Sequence, residues 1–156
     1  MATDDIREQL SDSHGAVMAL VRSLREETDE LQCHSRLEEL RHAWAAHFLA
    51  EETVVYHVLD GLHAGDNLDS ANKRLVEHEL VQSFFDRLSR TRPGTPQWFA
   101  RLEVIDKLMQ RHMDDEREEL FARLVEELEP DVLSGLSRDF GLARDKISIL
   151  EQAKSS

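Results

Sequence analysis

Four long stretches of this chain repeat apolar residues every three or four positions, and near the middle of each the apolar series is interrupted by a histidine. That period is the one with which an α-helix faces a core. The first stretch runs Ile6, Leu10, His14, Val17, Val21, Leu24, and the third runs Leu75, His78, Val81, Phe85, Leu88. The second is Leu37, Leu40, Trp44, Phe48, Val55, Val58 and Leu62, with His47 and Glu51 at its centre. The fourth is Trp98, Leu102, Ile105, Met109, Met113, Leu120 and Leu124, centred on His112 and Glu116. A carboxylate aimed at a core is costly unless it is neutralised, paired or bound to a metal.

Glycine and proline are few, 6 and 3 among 156 residues, and they punctuate these stretches instead of marking the frequent turns of an all-β chain. The pattern predicts helices at about 3–27, 35–63, 68–90 and 96–128, and a shorter one after Pro130. Ser35 with Glu38 forms a capping box at the start of the second, Gly61 and Gly65 loosen its end, and Thr95-Pro96 opens the fourth. The length suits one core. Long helices on short connections predict an all-α fold: an up-down-up-down four-helix bundle over 1–128, with an additional C-terminal helix within 129–156 packing across or beside it.

With 32 acidic against 19 basic residues the net charge is -13, and no basic cluster offsets it locally. Such a field repels nucleic acid and anionic membrane, so neither is an expected partner. Cys33 is the single cysteine, which excludes an internal disulfide and a C-x-x-C metal knuckle. No stretch approaches the roughly 20 apolar residues that span a bilayer, and the start, MATDDIREQL, lacks a basic segment followed by an apolar one. The expectation is a soluble cytoplasmic protein, with its oligomeric state left open.

The spacing carries a second message. From His14 to His47 is 33 residues and from His78 to His112 is 34, so the chain reads as two copies of one helical hairpin. Each copy contributes one histidine from its first helix and a histidine-glutamate pair from its second, and residues four apart share a helix face. H-x-x-x-E also occurs at His34/Glu38, so one copy of that motif carries little weight. Six polar residues centred on four apolar stripes carry far more: His14, His47, Glu51, His78, His112 and Glu116 are the candidate metal ligands. Six nitrogen and oxygen donors exceed one tetrahedral site and suit two ions with bridging carboxylates, and this donor type accepts iron, manganese or zinc. Metal loading would then be linked to folding stability.

These residues resemble the hemerythrin-like, HHE cation-binding family. The matching segments are SDSHGAVMALV with His14, HFLAEE with His47 and Glu51, VEHELVQSFF with His78 and HMDDE with His112 and Glu116, in family order, followed by Leu120-Phe121; together they cover about residues 5 to 125. The resemblance implies a four-helix bundle around a non-heme di-iron centre, bridged by Glu51, Glu116 and an oxo or hydroxo group. It implies His14 and His47 on one side of the centre and His78 and His112 on the other. The oxygen-carrying members have a further histidine one turn before the third-helix ligand, where this chain has Arg74, and they space the last histidine and carboxylate five apart, where this chain has four. The resemblance is therefore closer to the stress-related branch than to the respiratory one.

The function this implies is handling or sensing of a small diatomic ligand, O2 or NO, or of peroxide. The alternatives are a di-iron enzyme that consumes peroxide or NO or donates iron for cluster repair, and a regulatory module in which the metal is structural. Of the other histidines, His34 and His57 read as surface or boundary residues, and His42 and His63 as exposed. Glu52 and Glu77 are candidates for further oxygen donors, Trp44 and Trp98 read as core, and Tyr56 reads as a boundary residue able to hydrogen-bond a ligand. There is no glycine-rich phosphate loop, serine-histidine-acid arrangement or dinucleotide fingerprint.

Overall fold

The computed structural model describes residues 5–62 and 68–154, with side chains described outside 60–71. Five helices account for almost all of it. Helix α1 is Ile6–Glu26, capped by Asp5, whose carboxylate accepts from the Arg7 amide at 2.9 Å. Helix α2 starts as Glu30–Ala50, widens into a π-helical turn at Glu51–Tyr56 and resumes as His57–Leu62. Helix α3 is Leu68–Ser89. Helix α4 is Pro96–Asp115, then a π-helical turn at Glu116–Leu120, then Phe121–Glu127; Thr95 caps it and proline opens it. Helix α5 is Pro130–Lys154. Among the described residues no helix is long and apolar enough to cross a membrane.

Helices α1 to α4 form the bundle, each packing on its chain neighbour and α4 closing on α1. Two boundaries differ from expectation. Helix α2 begins five residues early because Asp29 accepts a hydrogen bond from the Gln32 amide at 2.9 Å, which makes Asp29 the cap and leaves Ser35 exposed inside the helix. Helix α5, expected to be short, is 25 residues long, because its two interior glycines weaken a helix without ending it. Gly65 and His63 lie outside the described residues.

The core is split in two. One half gathers Val17, Val21, Leu37, Leu40, Phe85, Trp98, Leu102, Ile105 and their neighbours. The other gathers Ile6, Leu10, Val55, Leu59, Leu120, Leu124, Leu136 and Phe140. The inward histidines fall between them: His14 follows Leu10 and precedes Val17, and His112 sits between Met109 and Met113. A polar layer thus lies between two apolar ones.

Helix α5 explains burial that the four stripes do not. It packs chiefly along α2 and also against α1. Ala45 and Ala46, off the predicted stripe, are buried, and His42, expected to be exposed, is half-buried beside Glu151 and Lys154 of α5. The anchor is Phe140, wholly buried, with its ring edge-on to His47 at 5.8 Å. Phe140→Ala is expected to cost about 3–5 kcal/mol, as for other buried phenylalanines. Urea unfolding checks this, and a loss below 1 kcal/mol would mean that α5 is not a structural part of the core.

Candidate metal centre

All six candidate ligands are 2% exposed or less: His14, His47, Glu51, His78, His112 and Glu116. They meet in two overlapping groups, His14, His47, Glu51 and Glu116 in one and Glu51, His78, His112 and Glu116 in the other, with the donor atoms of each group within 4.8 Å of one another. Both carboxylates belong to both groups. Glu51 Oε1 faces His47 Nε2 at 2.5 Å and His14 Nε2 at 3.3 Å, while its Oε2 lies 3.6 Å from the Nε2 atoms of both His78 and His112. Glu116 divides the same way, Oε2 lying 3.0 Å from His14 Nε2 and Oε1 2.9 Å from His112 Nε2.

Both glutamates stand at the first residue of a π-helical turn. The Glu51 amide reaches the carbonyls of both His47 and Phe48, the Glu116 amide those of His112 and Met113, and the Phe121 amide closes the wider ring on the Glu116 carbonyl. Such single wide turns are rare within α-helices and are frequently found at functional sites. Their effect here is rotational: the extra residue per turn shifts every later side chain around the axis. Extended at the α-helical period, the α2 stripe places Val58 inward and Tyr56 at the boundary; with the wide turn, Leu59 and Tyr56 are buried and Val58 is half-exposed.

Tyr56 consequently enters the centre. Its hydroxyl lies 3.0 Å from Glu51 Oε2 and within hydrogen-bond reach of Glu116 Oε1. Burial and the two carboxylates push its pKa well up, so it stays a donor. The signal in the sequence was present but weak: Tyr56 follows Glu51 by five, as Phe121 follows Glu116, so one copy of the hairpin has a donor where the other has none. Tyr56→Phe strips this donor from the buried carboxylates and is expected to destabilise the metal-free protein by about 1–3 kcal/mol, measurable by urea unfolding. An unchanged midpoint would mean the hydroxyl contributes nothing there.

The imidazoles are oriented from behind. His78 Nδ1 donates to Glu52 Oε1 at 2.9 Å and His112 Nδ1 to Glu77 Oε2 at 2.8 Å, while His47 Nδ1 lies 2.7 Å from Ser13 Oγ. A carboxylate only accepts, so the ring proton sits on Nδ1 and the Nε2 lone pair turns inward. Glu52 and Glu77 thus face the outer nitrogens and stand outside both donor groups. Trp44 closes one end of the layer, its ring 5.6 Å from that of His78 and 5.9 Å from that of His112. His34 and His57 are exposed, and buried Arg74 reaches Glu119 at 3.4 Å.

This arrangement fits a cation and is poorly satisfied without one. His78 and His112 face each other Nε2 to Nε2 at 3.0 Å, a contact that needs a shared proton or a cation between the two rings. His47 Nε2 and Glu116 Oε2 are buried without an aligned hydrogen bond despite their close neighbours. Two buried carboxylates need positive charge, and protons supply it in the metal-free molecule. Burial works against a charged His14, but Glu116 and Glu51 outweigh it and raise its pKa to about 9. The same balance lifts His112 well above the ordinary histidine value. Burial pushes Glu51 up, yet His47, His112 and His14 hold it well below the usual carboxylate range. Burial pushes His47 down, against the pull of Glu51.

A four-helix bundle converging four imidazoles and two carboxylates on a buried central layer is, as a class, a helical metal-binding protein. Residues 5–124 match the family model described as Hemerythrin HHE cation binding domain, and the chain belongs to that family. Comparison with curated proteins and with solved structures gives no match.

Proposed function

We propose that the centre holds two non-heme iron ions, His14 and His47 serving one and His78 and His112 the other, with Glu51 and Glu116 shared between them, and that the protein uses them to handle or sense O2, NO or peroxide. The observation that carries this reading is the division of each carboxylate's oxygens between the two donor groups. Bound iron would supply one-electron chemistry and a coordination place for a small ligand. The chain's own residues supply orientation, through Ser13, Glu52 and Glu77, and exclusion of water, through Trp44 and Phe140. A groove of about 430 Å³ between α2 and α3, lined by Phe48, Glu52, Leu75 and His78 among others, brings the surface up to the His78 flank and offers an approach for a small ligand.

Metal analysis of protein purified without added metal, with optical spectra taken before and after O2, tests the reading. About two irons per chain with a spectrum that responds to O2 or NO is the expected result. A correctly folded protein indifferent to ferrous salt would end it.

Turnover of peroxide or NO is the second reading, favoured by Tyr56, which places a protonated hydroxyl against both carboxylates. Steady consumption of H2O2 or NO that disappears when Glu51 and Glu116 are both changed to alanine would select it.

A further inference from the structure

We infer that the two ion positions are chemically unequal and that the one bounded by His78 and His112 binds its cation more tightly and fills first, because both outer carboxylates stand behind that pair. This rests on the metal centre proposed above, and it concerns residues outside the six ligands. His78 is backed by Glu52 at 2.9 Å and His112 by Glu77 at 2.8 Å. On the other side His47 is backed by the neutral hydroxyl of Ser13, and His14 Nδ1 is buried with no hydrogen-bond partner.

The duplication shows that this inequality is built into the chain. Ser13 precedes His14 as Glu77 precedes His78, and each backs the histidine of the second helix in its own hairpin. Glu52 follows Glu51 as Arg117 follows Glu116. Glu52 turns to His78, whereas Arg117 is exposed and lies 3.5 Å from Asp114. At each pair of equivalent positions, the residue serving the His78 and His112 side is an acid and its counterpart is not.

The physical consequence follows from how an outer partner acts. An Nδ1–H hydrogen bond to a carboxylate fixes the ring, raises the electron density offered at Nε2 and adds negative potential near the cation; a hydroxyl does the first with little of the others. Lys73 tempers the effect without cancelling it. It lies 3.9 Å from Glu77 Oε1, the oxygen that His112 does not use, and it is half-exposed, so water screens its charge. Apolar neighbours flank both sides, Phe140 against His47 and Trp44 and Phe48 against His78, so the outer carboxylates are what separates the two. Loss of an outer carboxylate typically costs 10–100-fold in metal affinity, so a similar separation between the two steps is expected.

Titration of the metal-free full chain with Co(II), followed by calorimetry and visible absorption, reads the two steps. Wild-type protein should bind in two steps about 10–100-fold apart. Glu52→Gln and Glu77→Gln, made singly and together, should weaken the tighter step and leave the weaker one; Ser13→Ala should act on the weaker one. Because the glutamates are only partly buried, their amide variants should fold, and circular dichroism verifies this. Nuclear magnetic resonance of the histidine ring nitrogens gives an assignment independent of any variant: at one equivalent of Zn(II), the signals of His78 and His112 should move before those of His14 and His47. Equal steps, equal weakening of both steps by the acid variants, or His14 and His47 responding first would overturn the inference while leaving a two-ion centre standing. Failure of the wild-type chain to bind a second ion removes the centre and the inference together.

Discussion

Glu51→Gln is expected to empty both ion positions at once. Glu51 belongs to both donor groups, is fully buried, and turns one oxygen toward His14 and His47 and the other toward His78 and His112. An amide keeps the shape but removes the charge and replaces one acceptor with a donor that faces imidazole nitrogens. Removing a carboxylate that stands only behind a ligand costs about 10–100-fold in metal affinity, so removing one shared by both positions should exceed 100-fold. The metal-free fold should survive, since one buried charge is removed and Glu116, the larger influence on both His14 and His112, remains to pair with them. Metal per chain after dialysis against a weak chelator measures the effect, with Glu39→Gln, an exposed acid of α2, as the control. Two ions per chain at unchanged affinity would remove Glu51 from the centre.

The second large effect is a reversal of pH dependence on loading. In the metal-free protein His14 has its pKa raised from 6.5 to about 9 by Glu116 and Glu51 against the opposing effect of burial. The stability it contributes is therefore full below pH 6.5 and is lost as pH rises through about 9, on the order of 3 kcal/mol in all. Glu51 is held below its usual range, so its contribution is present above about pH 4.5 and lost on further acidification. The metal-free molecule should thus be most stable between these limits and weaken from pH 6.5 to 9. Cations take the place of those protons, and their binding expels them, so stabilisation by metal should grow over the same interval. At free metal a thousandfold above its Kd the gain is about 4 kcal/mol. Thermal unfolding of both forms from pH 5.5 to 9 reads the gap between them. A gap that narrows as pH rises would contradict the exchange of protons for metal.

Much of the centre was legible because it violates a rule. Apolar residues at helical spacing announce a buried face, and His47 and Glu51 in the middle of such a face have few physical explanations besides neutralisation, pairing or coordination. The structure brings all six predicted residues together. Glu52, Glu77 and Ser13 were less legible, since each is an ordinary polar residue next to a conspicuous one, and only the packing of one helix on another decides which ring nitrogen it meets. Tyr56 was misplaced at the boundary for a different reason. A fixed 100° per residue cannot foresee the wide turn at Glu51–Tyr56, which rotates the rest of α2.

The sequence by itself determined the all-helical class, the two hairpins and the six buried polar groups, because periodicity and burial are properties of residues taken along one chain. Tertiary structure alone decided how those groups divide between two positions, which acids stand behind which imidazoles, and that α5 covers α2 with Phe140 against His47. These depend on distances of a few ångströms between side chains on different helices, where one added residue in a turn is enough to choose another partner.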